Sequence, residues 1–84
     1  MKKLILYTTE PCGFCRNAKE LLAERGIAYE EVNLAKDPVG RRELVEMTGM
    51  MTFPQLVLEG RALGGFRELL ELDREGRLEG LLAA

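Results

Sequence analysis

Cysteines occupy positions 12 and 15, and no others, in a chain of 84 residues, within the stretch "TTEPCGFCRNAKELLAERG" at residues 8 to 26. A thiol pair at this spacing can exchange a disulfide, supply half of a metal site, or fill a core as two small apolar side chains. The neighbouring residues select among these. "KLILY" before the pair is a strand-like apolar run and "RNAKELLAE" after it is helical, so the cysteines stand where a helix starts. Sulfurs at i and i+3 across a first helical turn share one face and close a disulfide with little backbone change. At the helix start, Cys12 meets unpaired backbone N–H groups and the positive end of the macrodipole, a setting that lowers a cysteine pKa to about 3.5 to 7.5. Cys12 is therefore the candidate nucleophile, and Cys15, one turn inside the helix, the candidate resolving thiol. Pro11 and Gly13 fix the helix start, and Phe14 between the cysteines is a packing residue or a substrate contact.

Other chemistries fit less well. A zinc site takes about four ligands, and the chain offers two cysteines and no histidine, so no metal ligand is assigned. A bridge across so short a loop constrains the unfolded chain little, which argues against a stapling role. The net charge of −2 provides no basic field, so nucleic acid is not an expected partner. "MKKLILY" starts like a secretory leader, but its apolar run stops at "TTE", short of the roughly 7 to 15 residues a leader needs. With no other segment near membrane-spanning length, a cytoplasmic protein without a membrane partner is expected. Its size makes it a single domain over residues 1–84, expected as a monomer.

Several elements must position the thiols. Residues 3–7 predict a strand buried on both faces. The helix over 13–25 turns Phe14, Cys15, Ala18, Leu21 and Leu22 inward and ends at Gly26. Residues 28–34 form a second strand, placed near a sheet edge by Glu30 and Glu31. "KDPVGRRELVEMTG" predicts a helix capped by Asp37, with Pro38 at its first position and Gly40 weakening its first turn. Arg41 and Arg42 belong to its solvated face, the alternative being a contact to an anionic substrate, and Met47, Met50 and Met51 read as gap-filling core residues near the rim of the site, the alternative being the lining of an apolar substrate groove. "PQLVLEGRALGG" predicts a tight hairpin turning at Glu59 and Gly60. From Phe66 the leucine spacing gives one or two closing helices broken at Gly76. The order β-α-β-α-β-β-α, with a right-handed crossover, predicts an α/β thioredoxin-like fold: a four-stranded mixed sheet with helices on both faces.

"LYTTEPCGFCRNAKELL", "TFPQLVLEGRALGGF" and "ELLELDREGRLEGLL" together resemble the glutaredoxins over essentially the whole chain. The resemblance implies a thiol–disulfide oxidoreductase acting through Cys12 and Cys15 on disulfide-containing or glutathionylated proteins. It implies that Pro54 is a cis-proline facing the cysteines, and that Thr52, Phe53, Gly64, Gly65 and Phe66 line a groove for a glutathionyl group. Glutathione would then be the co-substrate, with no tightly bound cofactor. Many glutaredoxins carry a lysine where this chain has Thr9 and an aspartate where it has Arg67. "GFR" at 65–67 is instead similar to the NrdH-type redoxins, whose electron donor is thioredoxin reductase. Some glutaredoxins hold an iron–sulfur cluster between two subunits, so a cluster carrier is the alternative reading.

Overall fold

The computed structural model describes residues 2–82. The elements follow as β1 (Leu4–Thr8), α1 (Gly13–Glu24), β2 (Glu30–Asn33), α2 (Pro38–Thr48), β3 (Gln55–Leu58), β4 (Arg61–Gly64), α3 (Phe66–Arg74) and α4 (Leu78–Leu82). Strand order is β2-β1-β3-β4. β1 pairs parallel with β2, Tyr7 opposite Val32, and antiparallel with β3, Leu6 opposite Leu56. This is the mixed four-stranded sheet and thioredoxin-like topology expected from the element order. Among the described residues, no helix is long and apolar enough to cross a membrane.

The β3–β4 turn forms where Glu59 and Gly60 both take positive φ, 49° and 80°, as a two-residue hairpin turn requires. A register shift between Leu56 and Val57 then sets Gly64 opposite Leu56 and Ala62 opposite Val57, so β4 carries one extra residue. Gly76 ends α3 at φ 67°, and the break separating α3 from α4 falls there.

One sheet face holds the main core: Leu4, Leu6, Leu56 and Leu58 pack with Ala18 and Leu22 of α1, Leu69 of α3, and Leu78 and Leu82 of α4. Each leucine removed from water there contributes about 1.5–3 kcal/mol. α2 packs on the other face, and only Leu44 of that helix is buried. β1 therefore alternates, with Leu4, Leu6 and Thr8 buried while Ile5 and Tyr7 are half-covered. The expectation of burial on both faces is corrected: a groove of about 580 Å³, lined by Tyr7, Val32, Leu44 and Met47 among others, remains between the sheet and α2.

Two further expectations change. Met47 and Met51 are 45% and 81% exposed rather than core, because Leu44 fills the interior under α2 and the chain leaves that helix at Gly49. Arg41 does not simply extend into solvent: its guanidinium donates to the carbonyls of Leu34 (2.8 Å) and Ala35 (3.1 Å) and to Thr9 Oγ1 (3.1 Å). Arg42 is exposed as expected. Gly40 is what allows the first turn of α2 to be capped, since Asp37 Oδ1 accepts its N–H at 2.8 Å. A Cβ at Gly40 would meet Asp37 Oδ2 at 2.6 Å and Leu34 at 2.7 Å.

Candidate active site

The loop from β1 to α1 ends at Cys12, whose extended backbone makes it the N-cap of α1. Its Sγ accepts the N–H of Cys15 at 3.1 Å, and its carbonyl accepts that of Arg16 at 3.3 Å. The capping role usually filled by a serine or aspartate oxygen is thus taken by sulfur. No acidic side chain stands in the first turn of α1 to oppose negative charge there. Cys12 and Cys15 are joined as a disulfide with Cα atoms 5.3 Å apart. Their surroundings differ: Cys15 is 2% exposed, while Cys12 is only partly covered. The loop is tied to the end of β2, where Asn33 Nδ2 donates to Glu10 Oε2 at 2.9 Å.

A second wall is the segment 50–54, which leads into β3. The Phe53–Pro54 peptide is cis, as is Glu10–Pro11, and Pro54 is buried. Thr52 is exposed and Phe53 half-buried. Gln55 anchors this segment from beneath: at 2% exposure, its Nε2 donates to the carbonyls of Met50 (3.0 Å) and Thr52 (2.8 Å). A buried amide satisfied in this way fixes backbone that has no ladder of its own.

The third wall is the β4–α3 junction. Gly64 takes φ 111°, which a side chain rarely adopts, and a Cβ there would lie 2.6 Å from Glu68. A Cβ on Gly65 would lie 3.1 Å from the Pro54 carbonyl, so the two walls touch at that glycine. Glu68 Oε1 accepts the Gly65 N–H at 2.7 Å, the reach-back contact of a capping box. Phe66, half-buried, stacks on Phe14 with ring centroids 5.9 Å apart and planes at 28°. Phe14 is 63% exposed, so the inward face expected of it on α1 is corrected: it turns toward Phe66 rather than into the core. Arg67 is exposed at the second position of α3.

Pro11, Cys12, Gly13, Phe14 and Cys15 therefore meet the Gly64–Arg67 junction through the aromatic pair, and that junction meets Thr52–Pro54 through Gly65. Three further residues belong to the constellation. Gln55 was legible only as a lone polar residue opening an apolar strand, Glu68 as the acidic residue three places after Gly65, and Arg41 as one of two adjacent arginines that could meet an anionic substrate. Among the described residues there is no cluster of three side chains able to hold a metal ion.

The family model for glutaredoxin matches residues 4–63, which span both cysteines and the 50–54 segment. The chain belongs to the glutaredoxin family. Glutaredoxin 3 from Escherichia coli (strain K12) is 33% identical to it over 82 residues, covering 98% of this chain and 99% of its own. The solution structure of a glutaredoxin from Brucella melitensis superposes with a TM-score of 0.85 at 38% identity, covering 98% of this chain and 89% of that one. A buckwheat glutaredoxin in complex with glutathione superposes with a TM-score of 0.86 at 27% identity, covering 96% of this chain and 76% of that one. This glutaredoxin is a dithiol thiol–disulfide oxidoreductase, and its redox-active pair is the Cys12–Cys15 disulfide.

Proposed function

We propose that residues 1–84 work as one domain in which the Cys12 thiolate is the nucleophile, Cys15 the resolving thiol, and glutathione the co-substrate. The observation that carries this reading is the N–H of Cys15 directed at Cys12 Sγ at 3.1 Å. In the reduced protein the same donor faces a thiolate, and a charge-assisted hydrogen bond is stronger than a neutral one.

The cycle balances as a two-electron exchange. Cys12 attacks one sulfur of a substrate disulfide, the substrate S–S bond breaks, and the departing thiolate takes up a proton. Cys15 then loses its proton and attacks Cys12 Sγ, releasing the second substrate thiol and leaving the Cys12–Cys15 disulfide. Two glutathione thiols regenerate the dithiol and become glutathione disulfide. The burial of Cys15 supports this division of labour, because a thiol 2% exposed is shielded from external substrates and reaches only its partner.

Thr52, Phe53, Pro54, Gly64, Gly65 and Phe66 form the groove we assign to the glutathionyl group. The buckwheat complex supports glutathione as ligand, and two side chains offset the departures at Thr9 and Arg67. Arg41 brings a guanidinium to Thr9, and Glu68 brings a carboxylate to Gly65. A cation and an anion for the charged ends of glutathione are thus present, on residues other than those expected. The reducing cytoplasm is the setting proposed, with thioredoxin reductase as the competing donor.

Single-cysteine variants test the assignment. Cys12→Ser is expected to lose all thiol exchange, whereas Cys15→Ser loses reduction of protein disulfides but retains turnover of glutathionylated substrates with glutathione. Most of the activity surviving in Cys12→Ser would overturn the nucleophile assignment. Efficient turnover of the unmodified protein with thioredoxin reductase, and none with glutathione, would overturn the co-substrate.

A further inference from the structure

Among the described residues Phe14, Val39, Met47 and Met51 are the exposed large apolar side chains, and of these Phe14 lies between the two cysteines of the reacting disulfide. It is also held in place. Offset stacking on Phe66, centroids 5.9 Å apart, limits the rotation that an exposed ring on a first helical turn would otherwise have. Ordering a side chain before its partner arrives removes a cost that binding would otherwise bear. Met51, 81% exposed, is a second apolar side chain, one residue before the Thr52–Pro54 segment that meets Gly65. Nothing in the proposed thiol exchange needs an aromatic ring, and glutathione has no large apolar side chain to set against one.

We propose that the Phe14–Phe66 pair is a seat for protein substrates, selecting extended segments with a large apolar residue within two positions of the cysteine to be attacked. This inference rests on the function proposed above and names the substrate class of the same site. The mixed disulfide to Cys12 fixes where the substrate cysteine lies. In an extended chain, the residue two positions away points to the same side at about 7 Å, and Phe14 is itself two residues from Cys12 in the first turn of α1. The occupant is therefore an apolar side chain of the segment already bound at the sulfur, continuous with the reaction site. Glutathionylated substrates, attacked at the glutathione sulfur, gain no such contact.

The test uses two synthetic ten-residue peptides, each oxidised to its disulfide-linked dimer, identical except for Leu or Ser two positions from the cysteine. The unmodified protein is expected to show a KM for the Leu peptide about ten-fold below that for the Ser peptide, as burial of one leucine side chain allows. Phe14→Ser and Phe66→Ser should each bring the two KM values to within about two-fold, and Phe14→Leu should restore most of the preference. A ratio of KM values taken on one protein is independent of the fraction that is folded. Equal KM values in the unmodified protein, with both peptides turned over, would overturn the seat and leave the oxidoreductase reading standing. So would a preference retained in both serine variants. No turnover of either peptide would overturn that reading and the seat with it.

Discussion

Helices α1 and α3 both begin at the site, yet the first turn of α1 is closed by a sulfur and that of α3 by a carboxylate. At α1, Cys12 Sγ takes the Cys15 N–H, and the first turn contains no acidic residue. At α3, Gly65 has no side chain to contribute, and Glu68 reaches back to its N–H at 2.7 Å. The same partial positive charge is used in opposite ways. In the cycle proposed above it is left in α1 for the Cys12 thiolate, and in α3 it is largely met by the permanent carboxylate of Glu68. A reactive group needs the unspent terminus; a groove wall needs the rigid one.

The largest effect that separates the two ends should be acid–base. In the reduced protein, alkylation of Cys12 by iodoacetamide should be half-maximal below the roughly 8.5 of a free cysteine, because the helix start favours the anion. Lowering the thiol pKa makes the reactive anion available above that midpoint and removes it below, so the rate should fall on acidification. A midpoint at or above the free-cysteine value would mean that the α1 terminus is no more available to an anion than that of α3.

A smaller effect should come from the α3 end. Glu68→Gln keeps an oxygen able to accept the Gly65 N–H and removes the charge. On the proposal that Glu68 draws the glutathione ammonium, this substitution should raise the KM for glutathione by about two- to five-fold, the scale of a partly exposed ion pair. An unchanged KM in a coupled deglutathionylation assay would confine Glu68 to capping.

The smallest effect lies at the far ends of the same helices, where Arg25, the C-cap of α1, forms two hydrogen bonds with Asp73 of α3, at 2.7 and 3.0 Å. The hydrogen bond and charge of Arg25 hold the Asp73 carboxyl below its ordinary value of 3.8. A carboxyl with a depressed folded-state pKa contributes its stability above the unfolded value and loses it as pH falls through the folded one. Asp73→Asn should therefore lower the thermal midpoint slightly at neutral pH, with the difference from the unmodified protein vanishing below the folded-state pKa. The Cys12 alkylation midpoint should not move. A shift there would show that the two helix ends are not independent.

What the sequence disclosed divides along the same line. The α1 start was legible because everything that makes it is consecutive: Pro11, Cys12, Gly13 and a helical period behind them. So were the hairpin at Glu59–Gly60 and the cap at Asp37, each a local rule obeyed by adjacent residues. The other walls depend on distant segments. Arg41 looked solvated because its acceptors, Thr9, Leu34 and Ala35, belong to other turns of the chain. The methionines looked like core because hydrophobicity alone does not say that Leu44 fills the space first. Phe14 looked inward because helical periodicity does not register a stacking partner more than fifty residues away.

Gln55 shows what such a distant contact can govern. It touches neither sulfur, and its amide spends both of its N–H donors' reach on the carbonyls of Met50 and Thr52. Those carbonyls belong to the segment that meets Gly65 through Pro54, so one side chain without redox chemistry holds a wall of the groove proposed above. A hydrocarbon of the same volume would leave the wall free to breathe, and a slot cut to one width would become a slot of many. In the groove proposed above, the fit of a substrate is thus held by a fastener behind the panel, on the side no substrate meets.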